Sequence, residues 1–352
     1  MNENRFLIQI DTGIMDGPSE LKSKIPLKLN LSIIELQDIN QIRKSSASFV
    51  GSKAANFGEL NYLSKKCNFK TPESAFAIPF YFYLQHLKSS GASILIKELL
   101  GNLELGIKEK EDKLIEIQKC IEGSPLDTVF LRTVEDKINS APFNSFRFRS
   151  STNAEDITGF SGAGLYKSKG VKLNSIKKTA SQAIKEVWAS AWSLKAFRER
   201  DFYAIDQSQV AMGILVHRSF PDEKVNGVAL TKNIYRRNSA GFVINIQKGN
   251  ENVVSQNSSI VPEQFICFPS KFKKPNSHAI IDVITYSSLS EESLLSETET
   301  QNLANQLELI KRHFTKPQLD TWSYHRLGFD IEFKINTEAR QLYIKQLRPY
   351  ND

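Results

Sequence analysis

Near the end of the chain, four polar side chains have the types and spacing to handle a metal-bound polyphosphate: Asp330, Glu332, Gln346 and Arg348. Carboxylates side by side suit Mg²⁺, which takes one or two of them together with substrate phosphates. An arginine adds a planar fork that grips phosphate oxygens in pairs. Residues 329–335 and 341–347 alternate in polarity and are rich in aromatic and β-branched types, with a polar bend over 336–340, so they predict a hairpin. Side chains two apart on a strand share a face. Asp330 and Glu332 therefore project together, as do Gln346 and Arg348, and a bend centred on Glu338 sets Asp330 opposite Gln346. A slip of one residue would separate them. The same residues also suit the polar outer face of a terminal hairpin, and the pattern alone leaves both readings open.

Two earlier segments carry related chemistry. Val50-Gly51-Ser52-Lys53 is a small-residue turn feeding a helix with a lysine in its first turn, where backbone amides and the ammonium can seat an anion. It is not a Walker A loop, since the glycine spacing and the following Ser/Thr are missing. A solvated first-turn lysine is the competing reading. Further on, Phe148-Arg149-Ser150-Ser151-Thr152 ends a strand with an arginine and three hydroxyls, and Gly159, Ser161, Gly162 and Gly164 follow within a small-residue loop. Such a loop lets backbone approach a phosphate closely, although an ordinary glycine-rich surface turn has the same composition.

These segments need a frame to bring them together. At 352 residues, 40% of them hydrophobic, the chain is long for one core and predicts two or three lobes. The expected organisation is a β extension or linker over 1–45, a first lobe over 46–215 and a second over 216–352. Helices are expected over 52–64, once or twice within 92–122, over 175–200 with Trp188 and Trp192 on the apolar side, and over 290–313. Strands are expected over 145–149, 210–216, 227–231, 241–246, 264–268 and 279–286, giving an α+β fold class.

The balance of 46 basic against 39 acidic residues gives +7. Lysines interleave with acids, as in Lys108-Glu109-Lys110-Glu111, which marks a solvated helix face better than a nucleic-acid footprint; a small polyanion fits the surplus as well. Cys67, Cys120 and Cys267 lack metal or disulfide spacing and read as buried or incidental thiols. No run approaches 18 apolar residues and the first residues lack a secretory core, so the expectation is a soluble, cytoplasmic protein.

Taken in order, the motifs resemble the nucleotide-binding domain shared by pyruvate phosphate dikinase, phosphoenolpyruvate synthase, rifampin phosphotransferase and the plant glucan water dikinases. The resemblance rests on Val50-Gly51-Ser52-Lys53 with Gly58-Glu59-Leu60, on Arg149-Ser150-Ser151 through Glu155-Asp156, Ser161, Gly164, Tyr166 and Ser168, and on Glu186-Val187-Trp188. It continues through Gly213-Ile214-Leu215-Val216 and Gly227-Val228-Ala229 to Asp330-Ile331-Glu332 and Gln346-Leu347-Arg348-Pro349, covering about 300 residues. It implies a divergent ATP-grasp fold that uses ATP and Mg²⁺. In that frame Lys53 and Arg149 bind and polarise phosphates, Ser161, Gly162 and Gly164 cover them, and Ser168 adds a hydroxyl. Asp330 and Glu332 hold Mg²⁺, Gln346 and Arg348 contact the transferring group, and Val216 and His217 border adenine.

Three departures stand out. Lys248-Gly249-Asn250-Glu251 displaces both glycines of a family loop, His217 stands where glutamine is usual, and Lys345 occupies a position the family keeps apolar. In multidomain relatives the domain phosphorylates a histidine on a separate swivelling domain, and this chain ends at Asp352. Ser277-His278-Ala279-Ile280 superficially echoes that carrier motif but lacks its preceding glycines and reads as a chance match. The expectation is an ATP-dependent phosphotransferase whose phosphohistidine carrier or other acceptor comes from elsewhere. The alternatives are a non-catalytic nucleotide-binding module, or a piece of a complete synthase or dikinase.

Overall fold

The computed structural model describes residues 24–155, 157, 160, 162, 164–220, 223–236, 239–249, 253, 260–268, 280–315, 324, 326–337 and 339–350. Ser161, the 277–279 stretch and much of the 248–251 loop lie outside the described residues.

Two antiparallel sheets and a set of helices make up the α+β architecture. The first sheet is built from β1 (Gln37–Asp38), β2 (Phe76–Ile78), β3 (Ser145–Thr152), β4 (Ser168–Lys172) and β5 (Met212–Arg218), in spatial order β1-β2-β5-β3-β4. The second takes β6 (Glu223–Leu230), β7 (Phe242–Lys248), β8 (Glu263–Phe268), β9 (Ile280–Thr285), β10 (Gly328–Asn336) and β11 (Leu342–Tyr350), ordered β11-β10-β6-β7-β8-β9. The helices are α1 (Ala47–Val50), α2 (Ser52–Ser64), α3 (Phe80–Ser89), α4 (Ala92–Gly101), α5 (Ile107–Gly123), α6 (Thr128–Asn139), α7 (Ala180–Ala189), α8 (Leu194–Phe202) and α9 (Glu297–Phe314).

The expected strands are present with boundaries moved by a few residues. The expected long helix over 175–200 is instead two helices: α7 starts at a Thr179 cap, passes into a 3₁₀ turn at Ser190–Trp192, and Ser193 caps α8 by accepting from the Ala196 amide. A local serine cap thus outcompetes continuation of the helix. Trp188 and Trp192 stay fully buried across the break, and Trp192 Nε1 donates to Tyr83 Oη at 2.8 Å. Within 92–122 there are two helices, and α9 begins seven residues later than the expected 290, at a Ser296/Glu299 capping box.

Helix α2 is the element that ties the two sheets together. Its buried residues go all the way round: Ala54, Ala55 and Phe57 pack with Leu215 and Ala77 of the first sheet, while Leu60 and Leu63 join the core of the second. A helix that is apolar on every side is one buried between layers. Each of these large side chains contributes about 1.5–3 kcal/mol by leaving water. The chain then runs beside the edge strand β11: the Lys70 amide donates to Leu342 O at 2.9 Å, and the Ile344 amide donates to Lys70 O at 2.8 Å. That contact covers the open edge of the second sheet.

The terminal hairpin has a different register from the one its bend suggests. Asp330 lies opposite Arg348 and Glu332 opposite Gln346, not Asp330 opposite Gln346. One residue of the shift arises at the bend, where Ile335 already pairs with Leu342, and the other at a β-bulge: Glu332 pairs with Gln346 but Phe333 with Ile344, leaving Lys345 as the extra residue of β11. The physical reason is the core. Leu342 and Ile344 are buried in it, and so is Leu347, three residues on, which strict alternation would turn outward. One extra residue resets the phase. All four polar residues still share a face.

Candidate functional site

The start of α2 is stapled to the end of β3. Ser151 Oγ accepts from the Ala54 amide at 2.8 Å, capping the helix from a distant strand, and Ser52 Oγ donates to Glu155 O at 3.1 Å. Gly51 permits this approach: its φ is +85°, and a Cβ there would sit 2.2 Å from Ser151 O. Lys53 follows, with Nζ donating to Ser150 O at 2.8 Å and facing Glu155 Oε1 at 3.2 Å. Glu155, buried itself, also accepts from the Thr152 amide.

Strand β3 alternates so that Arg147 and Arg149 share a face, turned toward the second sheet. One guanidinium nitrogen of Arg149 donates to Glu332 Oε2 at 2.9 Å and to Gln346 Oε1 at 2.6 Å. The arginine of the first sheet is thus held by the carboxylate and amide of the second. Its Nε is buried with no hydrogen-bond partner among the described residues. Arg348 donates through Nε to Asp330 Oδ2 at 2.8 Å, and Asp330 Oδ1 is likewise buried without a partner among the described residues.

Charges crowd this face. Burial alone would raise the Glu332 carboxyl, but Arg149, Lys345 and Lys53 overcome it and hold the group at about 2. Lys345 is pulled down to about 8 by burial and by the neighbouring Arg149 and Arg147, against the attraction of Glu332. Lys334, two residues beyond Glu332 on the same face, is pulled down to about 6 by burial and then by Lys345. Burial lowers His217 to about 3, with Arg149 adding to the shift. Its ring lies parallel to Phe57, 5.7 Å between centroids, and Nδ1 sits 2.6 Å from Arg218 O.

Of the sequence-expected residues, Lys53, Arg149, Asp330, Glu332, Gln346 and Arg348 come together around the junction of the two sheets and α2. Ser168 is the cross-strand neighbour of Arg149. Gly162 packs on Glu155, where a Cβ would meet Cγ at 2.5 Å, and Gly164 adopts φ +70° with open space beside it. Val216 turns its side chain into the first core, on the face opposite Arg149, so only its backbone is available toward α2. His217 shares the face of Arg147 and Arg149 but is buried. Arg147 and Lys334 were missed as site residues, although a period of two counted from Arg149 and Glu332 reaches both. Glu155 as the partner of Lys53 had no such signal, because the contact depends on α2 docking against β3.

The chain is therefore an α+β protein whose two antiparallel sheets, joined by α2, turn cationic side chains toward shared carboxylates. It belongs to the family described as pyruvate phosphate dikinase, AMP/ATP-binding domain, whose profile matches residues 47–352. It is 25% identical over 254 residues to the uncharacterized phosphotransferase YvkC of Bacillus subtilis, a stretch that covers 68% of this chain and 29% of that protein. With rifampicin phosphotransferase of Bacillus cereus it shares 28% identity over 207 residues, 55% of this chain and 22% of the relative. The chain thus spans less than a third of the length of either curated relative. Among the described residues no helix is long and apolar enough to cross a membrane.

Proposed function

We propose that this chain binds Mg-ATP in a two-lobed, ATP-grasp-like arrangement and passes a phosphoryl group to a histidine, or another acceptor, supplied in trans. The observation that carries this reading is the bridge from Arg149 on the first sheet to Glu332 and Gln346 on the second, with Lys53 beside it. Phosphoryl transfer asks a protein chiefly for positioning and charge neutralisation, and this cluster offers both.

In this reading the lobes are 46–215 and 216–352. Arg149, with its unpartnered Nε, and Lys53 grip the phosphates from the first lobe, and Gln346 and Arg348 from the second. As the acceptor nitrogen forms its bond to phosphorus, the P–O bond to the nucleotide breaks and its electron pair stays on the nucleotide oxygen. The cations neutralise that growing charge. The donor set also fits a hard cation: the unpartnered Asp330 Oδ1 with Glu332 two residues away would hold Mg²⁺ beside phosphate oxygens. When bound, the metal would supply further charge neutralisation. His217, fully buried with its ring stacked on Phe57, is closed off from an incoming phosphoryl group, which supports an acceptor outside the cluster.

Calorimetric titration of the folded chain with ATP and Mg²⁺ tests the reading, followed by mass spectrometry of AMP against ADP after incubation with a histidine-bearing carrier domain of this family. Saturable binding is expected, and AMP formation would support dikinase-type transfer. A folded chain that binds no nucleotide would overturn it.

A further inference from the structure

Lys345 stands out on the site face. It is the bulged residue of β11, next to Gln346 on that strand. Alternation after Ile344, which faces the core, turns Lys345 to the opposite, site face; the extra residue then keeps Gln346, which would otherwise enter the core, beside it on that face. Its electrostatic neighbours confirm the placement: Arg149, Glu332, Lys334 and Arg147. Lys334 reaches the same region from β10 by alternation with Glu332, and Arg147 reaches it from β3. Arg149, Lys345, Lys53 and Arg147 therefore act on the Glu332 carboxylate, and Lys334 lies beside Lys345.

The other two carboxylates of the site are already matched, Glu155 by Lys53 and Asp330 by Arg348. A divalent ion entering here must share Glu332 with Arg149 and Lys345, and Asp330 with Arg348. The phosphates of a nucleotide share Arg149 with Glu332 and Arg348 with Asp330 in turn, but the cations here, Arg147, Arg149, Lys345 and Arg348, outnumber those two carboxylates. The phosphates relieve like-charge crowding among Arg147, Arg149 and Lys345, the same charges that hold Lys334 low, and attraction between opposite charges is strong where water is partly excluded.

We propose that Lys345, backed by Lys334 and Arg147, is a built-in counter-cation that contacts the nucleotide's phosphates and makes their binding largely independent of divalent metal. The proposal rests on the nucleotide-binding reading above. It assigns Lys345 and Lys334 to phosphate recognition, a role for which the apolar residue usual at the Lys345 position has no charge.

The test is calorimetric titration of the full chain with ATP, once with excess Mg²⁺ and once with EDTA. The wild-type chain is expected to bind metal-free ATP within about tenfold of Mg-ATP, a difference of about 1.4 kcal/mol. In Lys345→Leu the ratio between the two conditions should widen to roughly thirtyfold or more, and Lys345→Arg should restore it. Lys334→Met, on the neighbouring strand, should widen it in the same direction, and a thermal melt of each variant confirms that it folds. Wild-type binding that requires Mg²⁺, or a ratio that Lys345→Leu leaves unchanged, overturns the counter-cation proposal while leaving nucleotide binding intact. No binding under either condition overturns the nucleotide reading itself, and the two failures are thereby distinct.

Discussion

Replacing Arg149 with methionine removes a side chain that hydrogen-bonds both Glu332 and Gln346 across the sheets, while keeping an unbranched apolar stem. The magnitude follows from the carboxylate. Glu332 is held at about 2 against an ordinary value of 4.5. At about 1.4 kcal/mol per unit that shift corresponds to roughly 3 kcal/mol of stability near neutral pH. The Glu332 side chain is 31% exposed, and Lys345 and Lys53 remain to share its charge. Discounted for solvent and for those partners, the expected loss in Arg149→Met is about 2 kcal/mol. The sign of the pH dependence is fixed by the direction of the shift. A carboxyl depressed in the folded state contributes fully above its unfolded value, and the contribution is lost as pH falls through the folded one. Urea unfolding of both proteins should therefore show the full difference at pH 7 and under about half of it by pH 3. A difference below about 0.5 kcal/mol at pH 7, in the range of an ordinary surface substitution, would refute the coupling of the sheets through this arginine. So would a difference that does not shrink in acid.

Other outcomes follow from the same geometry. His217, held near 3 by burial, binds its proton more readily in the unfolded chain, so stability should fall as pH drops below about 6.5. The loss from this group reaches roughly 3 kcal/mol at pH 4, and His217→Gln should flatten that part of the acid-unfolding curve measured by circular dichroism. Gly51→Ala should destabilise by about 3 kcal/mol or more, because a Cβ would lie 2.2 Å from Ser151 O at a φ of +85°; a melting temperature within a degree or two of wild type would contradict it. Glu332→Gln should weaken Mg-ATP binding less than Arg149→Met does, since the amide keeps a carbonyl for Arg149 while losing charge; the reverse order by calorimetry would argue against Arg149 as the principal phosphate contact.

Much of the site was legible because its signals are local. Asp330 and Glu332 share a face through strand alternation, as do Gln346 and Arg348 beyond the bulge, and the small residues before Lys53 lead directly into α2. The same periodicity would have supplied Arg147 and Lys334 had it been extended by one step. The helix break at Ser190–Ser193 was harder to see, since Trp188 and Trp192 keep a helical spacing across it while Ser193 caps the next helix. The hairpin register was misread for a related reason. The bend residues suggested a symmetric turn, but burial of Leu342, Ile344 and Leu347 on one side required an extra residue between them.

The amino-acid sequence by itself determined which chemistries are present: the carboxylates, the amide and the guanidinium of the terminal strands, the lysine at the start of α2 and the arginine of β3. Backbone periodicity decided which of them share a face, and that is a property of neighbours along the chain. Only the tertiary structure decided that Arg149 meets Glu332 and Gln346, nearly two hundred residues away, and that Lys53 meets Glu155. It also decided that Gln346 joins Lys345 on the site face, through the bulge between them and Ile344. Those contacts exist because α2 buries apolar residues against both sheets at once, and hydrophobic burial is non-directional, so no local pattern announces which polar groups it will bring face to face.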